Sequence, residues 1–516
     1  MRSLGRIGMA ALVAAIAVVP AATYLGAGGL PCDLPALAAK APAGTTITKV
    51  TPVAATGERG RHCLVDGNVR SSGNAVNFRI ALPETWNGKF LFLGVGGLGG
   101  TIANLEPGLA KGYATASTDT GHLASDQDWA SNREKEIDYG HRGTHVATVA
   151  SKAVTQAFYD KAPEYAYFNG CSNGGRQALM EAQRYPDDFN GIIAGDPATG
   201  TPMQVGRAVV YQKMLASPDS YLTADAIELV SKATLAACDK ADGLEDGLIS
   251  DPRPCHFDPS ALACTPGAAA GTCLTSGQVA VVKQVYEGLR TKSGEVVAYG
   301  FPPGHEGGST GWKQWITGPE QPAAQSGGAL AYTGKALPAG YGLMDFNFKF
   351  LSLDTDDPAY DWRKFDADRD LPRMRTMTEI LSPADPDLRP FMNHGGKLLM
   401  YHGWSDPGIS ALGTLAYHEA VVKTIGSQVI ADRFLRTYFI PGMHHCGGGP
   451  GVNQFDMLTA MENWVERKMT PELIVASRVV DGKTVRTRPL CAHPGAARYR
   501  GTGNVDDAAS FTCTMQ

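Results

Sequence analysis

The chain has 516 residues, of which 43% are hydrophobic and 19% are charged, so it can bury a large core. Its length predicts a core with a large insertion or a second domain. The net charge of −5 offers no basic surface, which excludes nucleic acid as an expected partner.

The N-terminus has the pattern of a secretory signal. Arg2 and Arg6 precede an apolar, alanine-rich run at 8–19, and small residues around Ala22 suit cleavage. The run is short for a membrane span, and a permanent anchor is the alternative. We therefore expect residues 1–25 to be a signal peptide. The mature protein is then secreted or periplasmic and has no membrane partner after cleavage.

Short apolar runs alternate with helical periodicity in the first part of the chain, which predicts a mostly parallel α/β sheet. The predicted strands lie, in chain order, at 45–50, 78–82, 89–93, 113–118, 165–168 and 189–195, and a helix is predicted at 145–158. From about 202 to 388, helical stretches, Pro/Gly loops, aromatic residues and four cysteines replace this alternation. The strand pattern resumes at 397–402 and 437–441. The sheet is therefore predicted to be split by an insertion.

A possible nucleophile lies between two of these elements. The sequence G-C-S-N-G at 170–174 places Ser172 at the centre of a G-x-S-x-G nucleophile elbow. That motif requires a strand before it and a helix after it, which the patterns at 165–168 and 176–182 provide. The alternative is a glycine-rich turn whose serine caps the next helix. The flanking elements favour the nucleophile.

A serine nucleophile needs a histidine base within hydrogen-bond distance. His445 lies directly before Cys446, as Ser172 lies directly after Cys171. A disulfide between these cysteines would hold their Cα atoms roughly 4.4–6.8 Å apart and bring the serine close to the histidine. Histidines without such a covalent tie to the elbow are the alternative bases, namely His444, His402 and His122.

The third catalytic residue is predicted to be Asp406, which follows the strand at 397–402 and precedes His445. An aspartate before Pro407 is also a common turn former. The order Ser, Asp, His is that of α/β-hydrolases and favours the catalytic role. We therefore predict an α/β-hydrolase core with a large inserted lid domain. The core covers residues 26–201 and 389–516, and the lid covers 202–388.

The oxyanion of an acyl-transfer reaction needs two amide donors in this fold. The residue after the nucleophile provides one, which predicts the amide of Asn173. The second is expected in the glycine-rich run after the strand at 89–93, where glycine allows close backbone approach. Gly97 is our prediction, and Gly96 is the alternative. An ordinary glycine-rich connection has the same composition.

Ten cysteines, an even number, are typical of an oxidising compartment. Counting alone does not fix their connectivity. Proximity in the sequence suggests four local pairs and leaves Cys171 with Cys446 as a long-range pair. The local pairs are Cys32–Cys63, Cys238–Cys255, Cys264–Cys273 and Cys491–Cys513.

An acidic loop at 238–249 is the candidate metal site. Three aspartates at short spacing, with glycines for tight turns, suit Ca²⁺, which binds carboxylate and carbonyl oxygens. The spacing is not that of an EF-hand, and an acidic turn facing solvent is the alternative. A structural role is expected because the loop is far from Ser172 in the sequence. The predicted ligands are the carboxylates of Asp239, Asp242 and Asp246 and the carbonyls of Leu244 and Leu248.

Together these motifs resemble the tannase and feruloyl esterase family over nearly the whole mature chain. The resemblance rests on the runs GCSNGGRQ at 170–177, DTGH at 119–122 and MHHC at 443–446. It implies that Ser172 is the nucleophile, Asp406 the orienting acid and His445 the base. It also implies a disulfide between Cys171 and Cys446 and Ca²⁺ bound in the lid.

The resemblance further implies a secreted serine esterase that cleaves esters of hydroxylated aromatic acids such as gallate, ferulate and coumarate. The substrate is a small aromatic ester, free or linked to a polysaccharide. One branch of the family hydrolyses mono(2-hydroxyethyl) terephthalate, but typically has glutamate where this chain has Asn173. A non-catalytic protein that binds aromatic ligands is the alternative from another class, and the intact Ser, Asp and His argue against it.

Overall fold

The computed structural model describes residues 30–56, 60–269 and 271–515, and the predicted signal peptide at 1–25 lies outside them. The strands are β1 (Thr45–Val53), β2 (His62–Ser71), β3 (Asn74–Pro83), β4 (Lys89–Leu93), β5 (Ala114–Thr118), β6 (Tyr165–Cys171), β7 (Gly191–Gly195), β8 (Gly288–Arg290), β9 (Val296–Tyr299), β10 (Ala323–Ala324), β11 (Leu330–Ala331), β12 (Lys397–Gly403), β13 (Leu435–Ile440), β14 (Leu473–Val480), β15 (Lys483–Cys491), β16 (Gly495–Tyr499) and β17 (Phe511–Met515).

The α-helices are α1 (Leu34–Ala38), α2 (Glu106–Ala110), α3 (Arg133–Ile137), α4 (Gly143–Tyr159), α5 (Asn173–Arg184), α6 (Thr201–Met214), α7 (Ala224–Cys238), α8 (Ser276–Glu287), α9 (Ala339–Phe350), α10 (Ala367–Asp370), α11 (Arg375–Leu381), α12 (Arg389–Asn393), α13 (Ala411–Ile425), α14 (Gln428–Ala431) and α15 (Met457–Arg467). Among the residues that the structure describes, no helix is both long and apolar enough to cross a membrane.

The central sheet has the strand order β1-β2-β3-β5-β4-β6-β7-β12-β13. Strands β1, β2, β3 and β5 pair antiparallel, and the remaining pairs are parallel. Every residue of β7 is buried, as expected for a central strand covered on both faces. The predicted mostly parallel α/β fold is therefore confirmed. Strand β2 was not predicted from the sequence and extends the sheet on its antiparallel side.

Helix α5 packs against the sheet directly behind the nucleophile elbow. A Cβ atom added to Gly175 would lie 2.2 Å from the carbonyl oxygen of Gly195, so only glycine allows this approach of α5 to β7. Helices α4 and α5 both contribute buried residues to the main hydrophobic cluster of the sheet. The N-terminus of α5 is thereby held at the carboxyl end of β6.

The predicted lid, residues 202–388, lies between β7 and β12, which are adjacent and parallel in the sheet. It contains helices α6 to α11 and two short hairpins, and it has a hydrophobic cluster of its own. Most of the aromatic residues in the insertion belong to this cluster, including Trp312, Tyr341, Phe348 and Trp362. They stabilise the insertion itself.

The last part of the predicted core does not join the central sheet. Strands β14 and β15 form one hairpin, and β16 pairs with β17 in another. The side chain of Arg488 in β15 reaches the acidic loop of the lid, where its Nη2 lies 2.6 Å from Asp246 Oδ2. The C-terminal hairpins therefore link the core segment to the lid.

Candidate active site

Ser172 lies in the sharp turn between β6 and α5. Its φ of 65° and ψ of −123° place a non-glycine residue in a strained backbone conformation. This geometry matches the strand-to-helix turn of a nucleophile elbow. Helix α5 begins at Asn173, earlier than the periodicity from Arg176 indicated, because the intervening glycines give no apolar pattern.

Asp406 and His445 form a hydrogen-bonded pair at the carboxyl ends of β12 and β13. The Nδ1 atom of His445 lies 2.7 Å from Oδ2 of Asp406. Oδ1 of Asp406 accepts the backbone N–H groups of Gly408 and Ile409 at 2.7 and 2.9 Å, which fixes the carboxylate. The Nε2 atom of His445 is buried and has no partner among the described residues. It is therefore available to a nucleophile.

The other candidate histidines have different partners. His444 Nδ1 lies 2.7 Å from the hydroxyl of Thr310, and the ring of His122 stacks on Trp129. His402 is fully buried, with Nδ1 2.7 Å from the Thr414 hydroxyl and Nε2 3.2 Å from Asp406 Oδ2. Of these histidines, His445 alone combines a bond to Asp406 with a free ring nitrogen and a neighbouring elbow disulfide.

A disulfide joins the segments that carry the serine and the histidine. Cys171 and Cys446 are bonded, with 6.0 Å between their Cα atoms. The other four disulfides also have the predicted pairing, Cys32–Cys63, Cys238–Cys255, Cys264–Cys273 and Cys491–Cys513. Trp315 of the lid lines the same cavity as Ser172 and packs its ring against that of His445, with 4.8 Å between centroids. The ring of Trp315 therefore lies between the cavity that Ser172 lines and the ring of His445.

The predicted oxyanion donors lie in this cavity. Gly97, with a φ of 60°, lines it together with Ser172 and Asn173. The side chain of Asn173 points elsewhere: its Nδ2 donates to the carbonyl of Val95 at 3.0 Å, and its Oδ1 accepts from Arg176 Nε at 2.7 Å. The backbone amide of Asn173 belongs to the first turn of α5, where N–H groups lack intrahelical partners. This placement favours Gly97 over Gly96.

Sequence reasoning missed Asp196, a fully buried carboxylate at the end of β7. Its Oδ1 accepts the N–H of Gly403 at 2.8 Å, and its Oδ2 accepts the N–H of Cys446 at 2.7 Å. It thereby holds the backbone beside His445. No motif marks this residue, because its partners lie more than 200 positions later in the chain.

These carboxylates set the charge state of the histidine. Burial opposes protonation of His445, but Asp406 and then Asp196 stabilise the imidazolium, and the pKa of His445 is raised above its usual 6.5. Burial alone would raise the pKa of Asp406, but His445 and His402 hold it far below its ordinary range. The pair therefore carries a stable carboxylate that orients and supports an imidazolium during proton transfer.

We expect kcat/KM to rise with pH through a pKa above 6.5, because the base must be neutral to accept the serine proton. Asp196→Asn removes a negative charge that favours the imidazolium. In this variant the rise of kcat/KM should therefore occur at lower pH than in wild type, and kcat should be reduced. The measurement is a pH–rate profile with p-nitrophenyl acetate. Asp481→Asn, at an exposed hairpin turn, should leave the profile unchanged. A profile of Asp196→Asn equal to wild type contradicts this role.

The wall of the cavity comes from both the core and the lid. Trp315 is an aromatic lid residue that lines this cavity, whereas other aromatic residues of the lid pack in the lid core, namely Trp312, Tyr341, Phe348 and Trp362. A larger apolar cavity of about 310 Å³ lies alongside. The two cavities share the wall residues Ala198, Met203, Arg207, Trp315 and Ile409.

The acidic loop forms a second site candidate. Asp239 accepts the backbone N–H groups of Asp246, Gly247 and Leu248, and Asp242 accepts those of Leu244 and Ser250. Burial raises the pKa of Asp242 to about 6, and Oδ1 of Asp246 is buried without a partner among the described residues.

These oxygens are of the type that Ca²⁺ binds. They do not form one tight group, because the triads of ligand atoms within 4.8 Å of one another in the described residues lie elsewhere. The donor chemistry fits the ion, and the loop would have to close around it.

Known proteins match this chain over most of its length. The family model described as tannase and feruloyl esterase matches residues 63–514. An uncharacterized esterase of Xanthomonas campestris pv. campestris is 32% identical, with 93% of this chain and 88% of the relative covered. The mono(2-hydroxyethyl) terephthalate hydrolase of Piscinibacter sakaiensis is 30% identical, with 88% and 84% covered. A probable feruloyl esterase of Arthroderma benhamiae is 32% identical, with 86% and 84% covered.

Solved structures agree with these matches. The crystal structure of feruloyl esterase B from Aspergillus oryzae superposes with a TM-score of 0.80 at 25% identity, covering 93% of this chain and all of that one. The tannin acyl hydrolase from Aspergillus niger has a TM-score of 0.72 at 21% identity, covers 96% and 97% of the two chains, and supports the fold alone. From its sequence and its fold, the chain belongs to the tannase and feruloyl esterase family.

Proposed function

We propose that this protein is a serine carboxylic ester hydrolase that cleaves esters of aromatic carboxylic acids. The observation that carries the proposal is the His445–Asp406 pair, which the Cys171–Cys446 disulfide ties to the strained turn at Ser172. The family relatives named as feruloyl esterases and as a terephthalate monoester hydrolase support an aromatic acyl group.

The reaction follows from the positions of these groups. The Oγ atom of Ser172 attacks the ester carbonyl, and its proton passes to Nε2 of His445. The amides of Asn173 and Gly97 donate hydrogen bonds to the developing oxyanion. The alcohol leaves with the proton from His445, and an acyl group remains on Ser172. Water then attacks the carbonyl of this acyl-enzyme, and His445 again accepts a proton. The bond between the acyl group and Oγ breaks, His445 returns the proton to Oγ of Ser172, and the carboxylic acid leaves.

The test is hydrolysis by the oxidised protein of methyl gallate, methyl ferulate, mono(2-hydroxyethyl) terephthalate and p-nitrophenyl acetate. We expect higher kcat/KM for at least one aromatic ester than for the acetate, because an apolar cavity adjoins the cavity that Ser172 lines. Failure to hydrolyse all four, with no labelling by a fluorophosphonate, would refute the proposal and favour a binding protein.

We also propose that the protein is secreted. Five disulfides and no free cysteine among the described residues support an oxidising compartment. In that setting the ester can be a small molecule or can link an aromatic acid to a polysaccharide. Release of ferulate from a feruloylated polysaccharide, compared with methyl ferulate, distinguishes these substrates.

Ca²⁺ bound at the acidic loop is the proposed structural cofactor. Asp239 and Asp242 would hold it with Asp246, Leu244 and Leu248, and the ion would offset charge that is now largely buried. Because a ligand that binds only the folded state stabilises it, EDTA treatment should lower the melting temperature and Ca²⁺ should restore it. Asp239→Asn should reduce the response, whereas the exposed Asp481→Asn should not. An unchanged melting curve after EDTA treatment contradicts the site.

A further inference from the structure

A buried carboxylate on helix α5 lies outside the Ser172 cavity and lacks hydrogen bonds. Glu181 is fully buried, and neither of its carboxylate oxygens has a hydrogen-bond partner among the described residues. A carboxylate that loses its water without gaining donors is costly for a folded protein. This side chain therefore requires either a proton or a bound cation.

A histidine and a second carboxylate lie next to Glu181. His145 belongs to α4, and Asp188 lies in the turn between α5 and β7. One possible ligand atom from each of the three side chains lies within 4.8 Å of the other two. Nδ1 of His145 is 2.7 Å from Oδ2 of Asp188. The other two groups of this kind in the described residues both contain Asp196 and belong to the predicted active site.

Neighbouring side chains fix this group but do not neutralise it. The ring of Tyr185 stacks on that of His145, with 3.9 Å between centroids. Nζ of Lys152 donates to the backbone carbonyl of Asp188. Burial and then the Asp188 carboxylate raise the pKa of Glu181 well above its usual range, although the charge of Lys152 opposes the rise. The two carboxylates are thus short of positive charge.

We propose that His145, Glu181 and Asp188 bind one divalent transition-metal ion such as Zn²⁺. One imidazole and two carboxylates are a ligand set that zinc accepts, whereas Ca²⁺ takes oxygen ligands. Bond lengths of about 2.0–2.2 Å place tetrahedral ligand atoms roughly 3.5 Å apart, so small side-chain rotations suffice from the separations seen here. His145 and Asp188 are partly exposed, so the ion can enter from solvent and keep a water ligand.

The ion would join α4 to α5, and α5 begins at the residue after Ser172. Its role is structural, and its binding does not depend on the proposed esterase activity. A proton shared between Glu181 and Asp188 is the alternative way to neutralise the pair. Glu181→Gln separates the two, because glutamine imitates a protonated carboxyl group but cannot provide the carboxylate that a metal requires.

The experiment measures zinc binding by the oxidised full chain after EDTA treatment and dialysis. Excess Ca²⁺ is present throughout, so that the acidic loop at 238–249 does not take up the zinc. We expect wild type to bind about one equivalent of Zn²⁺ in isothermal titration calorimetry and to retain it in metal analysis. Zinc at about 100 times its Kd should raise the melting temperature by about 2–3 °C.

Glu181→Gln and His145→Ala should each weaken zinc binding by about 100-fold or more, since loss of a residue that merely supports a ligand costs about 10- to 100-fold. His394→Ala is the matched control. His394 also lies beside an aspartate, with Nδ1 3.0 Å from Oδ1 of Asp187, but this pair is more exposed and is not part of a three-residue group among the described residues. This variant should bind zinc as wild type does.

Equal zinc affinity in wild type and both ligand variants would overturn the proposal. Binding that is lost in His445→Ala and kept in His145→Ala would also overturn it, by placing the ion at the predicted triad. A wild type that binds no zinc is equally contrary, and a Glu181→Gln variant as stable as wild type would then favour the shared proton. If Glu181→Gln does not fold, His145→Ala decides alone, because the His145 side chain is 30% exposed.

Discussion

Ser172→Ala is expected to lower kcat for every ester by about 10⁴-fold or more, because the acyl-enzyme can no longer form. The fold should persist, since the substitution removes one hydroxyl and the flanking disulfide remains. Initial rates with p-nitrophenyl acetate and with the best aromatic ester provide the measurement.

The matched control for this variant is Ser309→Ala, an exposed serine of the lid. It should retain wild-type rates and labelling by a fluorophosphonate, whereas Ser172→Ala should lose the label. Circular dichroism and the melting temperature verify that both variants are folded. Residual activity of Ser172→Ala near the wild-type rate would refute the assignment of the nucleophile.

Removal of the Cys171–Cys446 disulfide by a double alanine substitution is expected to lower both activity and stability. The bridge closes a separation of 275 residues, against 22 for Cys491–Cys513. The chain-entropy model gives about 5 to 6 kcal/mol for the first and about 3 kcal/mol for the second. Activity should fall more without Cys171–Cys446 than without Cys491–Cys513, because Ser172 and His445 are the sequence neighbours of the first pair.

The comparison is therefore between Cys171→Ala with Cys446→Ala and Cys491→Ala with Cys513→Ala. We expect the first pair to lose most of its kcat at a temperature where circular dichroism shows it folded. The second pair should keep kcat and lose melting temperature only. Equal kcat values in the two variants would show that the long-range bridge does not position the catalytic groups.

The sequence was informative where local patterns decide the structure. The parallel strands have continuous apolar runs, so β4, β6, β12 and β13 were predicted close to their observed bounds. The elbow, the chain order and the adjacent cysteines led to Ser172, Asp406 and His445, which the structure brings to one region. Their catalytic roles stay predictions until the variants are measured.

Other features depend on contacts between distant segments and leave no local pattern. The sequence shows Asp196 only as an aspartate at a strand end. In the structure, the N–H groups of Gly403 in β12 and of Cys446, next to His445, both donate to its carboxylate. The sequence indicates only that Arg207 lies in a helix. Its place in the wall of the Ser172 cavity depends on how the lid packs on the core. The aromatic content of the lid did not indicate that Trp315 would line the Ser172 cavity while Trp312 and Tyr341 would pack in the lid core, because packing and lining require the same residue types.

The position of the lid between β7 and β12 has a consequence for how such enzymes diversify. Two parallel strands that pair side by side need a crossover connection, and here that connection contains the predicted lid, residues 202–388. Lengthening a connection adds little closure entropy, so the sheet tolerates very different crossovers. The insertion places Trp315 and Arg207 in the wall of the Ser172 cavity, and Ser172, Asp406 and His445, the predicted triad, follow strands of the sheet. Exchange of this one segment between relatives should therefore transfer substrate preference while the catalytic apparatus stays in place.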